Sequence, residues 1–177
     1  VGFDNKKSGR AIAEHVISYG HRKLGVIAGL RDGNDRAQDR ILGIQNAIDA
    51  HPNIQLLGLQ ECKYSFEEAG SALDDLLSGP VHPTAIICGS DVLAVGAMLR
   101  ARDLGLQIPK DISITGFDDI NLARVTTPGL TTVRVPQHDM GRKAAHVLLG
   151  LLDADAPQPK SYELMTTIID RGTLARV

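Results

Sequence analysis

The sequence contains no tryptophan and only three tyrosines and three phenylalanines in 177 residues. Its core must therefore be built from Leu, Ile, Val and Ala, and a ligand site has few rings on which to stack. Cysteine is equally scarce. Cys62 and Cys88 sit in apolar segments without the spacing of a metal site or a redox pair, which points to buried free thiols in a reducing compartment. No apolar run approaches the roughly 18 residues of a membrane span. No export signal is present either, so a cytoplasmic protein without membrane contact is expected. Positive charge is not concentrated. The net charge is −2, the pI is near 6.3, and the longest basic cluster is His21-Arg22-Lys23. Direct nucleic-acid binding by these residues is not indicated. The chain opens on Val1 rather than Met, as a piece of something longer would.

The composition is otherwise that of an ordinary globular domain, 43% hydrophobic and 23% charged. Its organising feature is alternation of helical and strand patterns. Residues 8–19 read as a helix, with Ala11, Ile12, His15, Val16 and Tyr19 at helical spacing and Gly20 suited to the left-handed position after it. Residues 24–28 form a buried strand pattern, 36–50 a second helix, and 54–62 a strand. A helix follows over 66–77, with Ser65 and Glu68 spaced as a capping box. Strand 84–88, helix 91–104 and strand 112–117 come next. Residues 118–129 are loop-like, 130–135 are β-rich, and Pro136 can open a helix running to about 152. A polar linker at 153–160 and a last strand at 162–169 complete the pattern.

Such alternation implies an α/β fold: a Rossmann-like parallel sheet flanked by helices. Ligands of these sheets bind where strands end and lead into helices. Four loops are selected on that ground alone: 29–40, 64–66, 89–91 and 118–121. Several side chains in them have both a binding and a structural explanation. Arg40 offers a planar fork of donors for carboxylates and hydroxyls, or pairs with Asp35 or Asp39 on a solvated helix face. Asp118 can accept from ligand hydroxyls, or serve as a turn residue. Ser90-Asp91 can line the site, with Asp91 also a good N-cap. Tyr64 can stack on a ligand ring, or simply pack.

The six histidines are scattered without zinc-helix spacing, so no metal is expected. No nucleophile elbow, phosphate loop, dinucleotide fingerprint or obvious acid–base carboxylate pair is present. An enzyme and a nucleotide cofactor are accordingly not expected.

These segments resemble the lac-repressor (LacI/GalR) family of bacterial transcription regulators nearly end to end. The likeness is carried by Val1-Gly2-Phe3-Asp4-Asn5, by 19–29 (Tyr-Gly-His-Arg-Lys-Leu-Gly-Val-Ile-Ala-Gly) and by Arg40-Ile41-Leu42-Gly43. It continues through Pro83-Thr84-Ala85-Ile86-Ile87-Cys88 before Ser90-Asp91, then Ala94-Val95-Gly96-Ala97. The most specific segments are 108–113 (Ile-Pro-Lys-Asp-Ile-Ser), Gly116-Phe117-Asp118-Asp119, 127–133 (Thr-Pro-Gly-Leu-Thr-Thr-Val) and Met140-Gly141.

The resemblance implies a type I periplasmic-binding-protein-like fold, in which two lobes clamp a small effector and the chain crosses between them three times. It assigns residues 24–135 and 158–177 to the C-terminal lobe and 1–23 and 136–157 to remnants of the N-terminal lobe. The helix-turn-helix headpiece that meets operator DNA lies outside the chain. The resemblance places Arg40 and Asp118 at positions that hydrogen-bond the effector and Tyr64 at one that packs on it. Ser90 and Asp91 match a polar pair that is often Asn-Asp. Asn34 and Arg36 fall where residues vary with the effector, Arg36 suiting an anionic or polyhydroxylated one. A homodimer through the C-terminal lobe is implied, using residues after Tyr64, the helix 93–104 and the segment after Asp118; Met98 and Leu99 either make its apolar contacts or face the sheet of their own chain. With their own sheet absent, the helices 6–20 and 137–152 are expected to rearrange, to pair with another chain, or to pack on the C-terminal lobe. The competing readings are a transporter's periplasmic-type sugar-binding protein and a sugar-modifying hydrolase.

Overall fold

The computed structural model describes residues 1–151 and 160–177. Its elements, in chain order, are α1 (Asn5–Ser18), β1 (Lys23–Gly29), α2 (Asp35–Asp49), β2 (Gln55–Cys62), α3 (Phe66–Leu77) and β3 (Ala85–Cys88). They continue with α4 (Asp91–Asp103), β4 (Ser113–Asp118), α5 (Leu122–Val125), β5 (Thr131–Arg134), α6 (Gln137–Gly150) and β6 (Thr167–Ile169). The strands form one sheet in the order β2-β1-β3-β4-β5-β6. Neighbours from β2 to β5 are parallel, and β6 runs antiparallel to β5.

Side-chain alternation along the strands divides the core in two. Leu24, Val26 and Ala28 of β1, with Ala85 and Ile87 of β3 and Phe117 of β4, face α1 and α2. Ile27, Ile86, Cys88 and Ile114 point the other way, against α3 and α4. Both faces of a parallel sheet are covered, so its strands read as nearly unbroken apolar runs. Both cysteines are free and buried in the α3–α4 layer, where burial pushes the Cys62 thiol up to about 11 and also holds Cys88 well above the usual thiol range.

The boundaries differ from the sequence pattern where tertiary contacts decide them. Helix α2 starts one residue earlier than the pattern, at Asp35, and is capped by Asn34, whose Oδ1 accepts from the Ala37 amide at 3.1 Å. Strand β4 extends to Asp118, so that residue ends the strand rather than following it. The stretch 118–129 contains the short helix α5. The last strand is confined to Thr167–Ile169, with one isolated bridge from Glu163 to Gly2 upstream. Gly20 has φ 101°, the left-handed conformation expected after α1. The capping box forms only by half: Ser65 Oγ accepts from the Glu68 amide, but the Glu68 carboxylate accepts from Lys63 N. The expected end of α6 at 152 and most of the 153–160 linker lie outside the described residues.

The two helices assigned by resemblance to another lobe behave differently. Helix α1 packs on this sheet. Its Ile12, Ala13 and Val16 are buried with Leu24, Ile41 and Ile44. Of the three outcomes expected for it, α1 takes the third: its apolar face packs on the sheet of residues 24–135. Helix α6 has no buried residue, and Leu148 and Leu149 remain about two-thirds exposed (65% and 66%). On α4, Met98 is buried in the α3–α4 core while Leu99 is exposed, so only Leu99 is free for the intermolecular contact.

Helices α1 and α2 approach closely enough that a Cβ on Gly43 would meet the Lys6 carbonyl, and one on Gly9 the Arg40 carbonyl. Alanine in an open helix is favoured over glycine by about 1 kcal/mol. Here we expect Gly43→Ala to destabilise by roughly 1–3 kcal/mol, since overpacking outweighs propensity. Urea denaturation checks the sign, and a more stable variant would contradict the packing.

Candidate functional site

The carboxyl ends of β1 to β4 open onto a cleft of about 380 Å³. Its walls are Asn34, Arg36, Arg40, Tyr64, Ser90, Val92, Asp118, Ile120 and Gln137. Of the seven residues singled out from the sequence, six meet here. Asp91 does not line the cleft. Val92, Ile120 and Gln137 had no distinguishing local signal.

Arg40 is the most constrained of these side chains. Its Nε donates to Asn5 Oδ1 at 2.9 Å, Nη1 to the Gly89 carbonyl at 2.7 Å, and Nη2 to Asp118 Oδ1 at 3.3 Å. The guanidinium carbon lies 3.9 Å from the Phe117 ring centroid, and Phe3 stacks on Phe117 in turn. This arrangement excludes the alternative of an Arg paired with Asp35 or Asp39 on a wet helix face. Burial lowers the Arg40 pKa, opposed chiefly by the Asp118 charge. A guanidinium nonetheless keeps its proton. Burial raises the Asp118 carboxyl, and Arg40 partly offsets that rise. The two side chains form a salt bridge at 3.3 Å, with two guanidinium N–H donors and one carboxylate oxygen left without a protein partner among the described residues.

Asp118 and Asp119 have φ of 109° and 53°, conformations that cost energy for any residue but glycine. Three successive anchors hold them. Asp118 is held by Arg40. The side chain of Asp119 is 1% exposed, bonded to Arg171 at 2.5 Å and Arg134 at 2.6 Å, with Arg124 at 3.7 Å. Burial pushes the Asp119 carboxyl up, but the arginines more than reverse this and hold it below the usual range. The Ile120 amide donates to Asp91 Oδ2 at 2.8 Å.

Asp91 thus has a different task from the expected one. Ser90 is the N-cap of α4, accepting from the Leu93 amide at 3.3 Å. Asp91 is fully buried, and its other oxygen accepts from the Thr132 hydroxyl at 2.5 Å. It supports the 118–120 segment from beneath. Asn34 also has two roles, capping α2 and donating Nδ2–H to the Tyr64 hydroxyl at 3.3 Å. Tyr64 itself is 48% exposed, a ring open to the cleft. Among the described residues there is no group of three or more His, Cys, Asp or Glu placed to hold a metal ion, and no helix is long and apolar enough to cross a membrane.

This architecture has known counterparts. Residues 13–174 match the family model of the periplasmic binding protein-like domain. The chain is 33% identical over 175 residues to the HTH-type transcriptional repressor PurR of Shigella sonnei, which covers 98% of this chain and 51% of that protein. It thus spans about half the length of the curated relatives it matches. Transcription regulator GntR of Chromobacterium violaceum superposes with a TM-score of 0.90 at 32% identity, over 98% of this chain and 64% of that one. A dimeric lac repressor with an 11-residue C-terminal deletion gives 0.89 at 26%, over 98% and 63%. The chain belongs to the periplasmic binding protein-like domain family, in the form carried by lac-repressor (LacI/GalR) regulators.

Burial raises the Asp91 carboxyl to about 6, opposed by the Thr132 and Ile120 bonds. With a folded value above the unfolded 3.8, the folded chain binds this proton more readily than the unfolded one. The contribution to stability is complete below 3.8 and declines as pH rises towards 6. Thr132→Val removes a bond to the ionised form and should move the Asp91 midpoint above 6. Carbon-13 NMR titration of the carboxyl checks this, and an unmoved midpoint contradicts it.

Proposed function

We propose that this chain is the effector-sensing and dimerising module of a lac-repressor-type transcription regulator working in the cytoplasm. A small polar metabolite, sugar-like in its hydroxyls, binds in the Arg40–Asp118 cleft. Its binding alters the operator affinity of a DNA-reading headpiece outside these residues. The observation that carries this reading is the preset Arg40 guanidinium, bonded on three nitrogens before any ligand arrives. Preorganisation reduces the ordering cost of binding. The free N–H donors suit ligand oxygens, the free Asp118 oxygen accepts from a hydroxyl or amine, and the exposed Tyr64 ring covers an apolar face.

Binding without turnover is the reading the cleft favours over hydrolysis. Sugar hydrolases use two carboxyl groups, about 5–10 Å apart. The cleft lining supplies one, Asp118, and that one is ion-paired.

For the proposed homodimer, the exposed apolar residues Phe66, Leu99 and Val125 offer a surface on α3, α4 and α5. A groove of about 360 Å³ runs between α4 and residues 125–128. Val125 is 74% exposed, so Val125→Asp should leave the fold intact and shift the chain towards monomer. Sedimentation equilibrium measures this, and a parent chain that is already monomeric at high concentration would contradict the dimer.

A thermal-shift screen of sugars, nucleobases and phosphorylated metabolites on the full-length protein identifies the effector, because ligands that bind only the folded state raise the midpoint. Arg40→Ala and Asp118→Ala should each weaken its binding by about 1.5–3 kcal/mol. Unchanged affinity in the double variant would refute the assignment. A secretion signal in place of a helix-turn-helix upstream would instead favour a transporter's binding protein.

A further inference from the structure

We infer that the effector carries an anionic group, a carboxylate or a phosphate, and that Arg36 selects it; this rests on the cleft being the effector site. The lining contains two cations, Arg36 and Arg40, and one anion, Asp118. The charge of Arg40 is matched by Asp118. Arg36 is not matched. Its backbone amide donates to Asp35 Oδ1, but among the described residues its guanidinium makes no ion pair with Asp35, Asp39 or any other carboxylate. The remaining polar lining groups, Asn34, Tyr64, Ser90 and Gln137, are neutral.

The position of Arg36 is also unfavourable in the free chain. It lies in the first turn of α2, where the helix dipole disfavours a cation. It is four residues from Arg40, so two like charges share one helical face. The charge of Arg36 is felt at both Arg40 and Asp118. Departures from helix electrostatics of this kind concentrate at functional sites. An anion against Arg36 relieves both, with a guanidinium fork that matches either a carboxylate or a phosphate. A neutral sugar relieves neither.

The test is amide NMR of the 177-residue chain at constant ionic strength, titrated with inorganic phosphate, sodium acetate and D-glucose. Saturable shifts at residues 34–37 and 89–91 are expected with phosphate, acetate or both. Phosphate alone points to a phosphorylated effector and acetate alone to a carboxylated one. Arg36→Gln should weaken that binding roughly tenfold, as for one charged hydrogen bond, and Arg36→Lys should restore part of it. The proposal is overturned if neither anion shifts these amides, or if Arg36→Gln binds them equally well. Glucose moving the cleft amides while both anions leave them unmoved would sink this inference and leave the Arg40–Asp118 reading standing. A second measurement needs no ligand. Arg36→Gln should raise the thermal midpoint of the free chain, and a lowered midpoint would remove the electrostatic premise.

Discussion

The buried guanidinium of Arg40 is the point at which this structure is tied together. Removing such a charge from water is costly unless its donors are satisfied. Here the partners come from α1, from the loop after β3 and from the end of β4, with the Phe117 ring beneath. The contact to Asn5 exists only because α1 lies close against α2, an approach that two glycines, Gly9 and Gly43, permit. The cleft therefore depends on a helix that does not line it. Helix α1 is buried on this sheet through Ile12, Ala13 and Val16, whereas α6 leaves Leu148 and Leu149 in water.

The second constraint is the clamped segment 118–120. Two successive aspartates hold positive φ, and such strain persists only where the surroundings over-determine it. Arg40, the arginine group on Asp119 and the Asp91 carboxylate act on three consecutive residues from three directions. The result is a carboxylate, Asp118, presented at a strand end with one oxygen engaged and the other free among the described residues. Rigid presentation of a few polar groups, rather than their number, is what a small-molecule site requires.

Much of this was legible in the sequence, for identifiable reasons. The strand and helix periods follow directly from burial on two faces, and the rule that ligands sit at strand carboxyl ends selects the rim loops without knowledge of any side chain. Arg40 and Asp118 stood out because residue type and rim position coincided with the family resemblance. What escaped was non-local. Asn5 and Arg40 are 35 residues apart, and Asp119 and Arg171 are 52 apart. No local pattern encodes such pairs. Ser90 and Asp91 are both good caps, and only the end of β3 at Cys88 decides that Ser90 caps α4 and Asp91 turns inward. The amphipathic face of α1 showed that it must be covered, but not by which sheet.

Whether Arg40 is locked in place before any ligand binds can be read from nitrogen-15 NMR of the arginine side chains in the free chain. Arg40 should show resolved, slowly exchanging Nε–H and Nη–H signals, unlike the exposed arginines. A single solvent-averaged Arg40 signal, like those of its exposed neighbours, would contradict that locking.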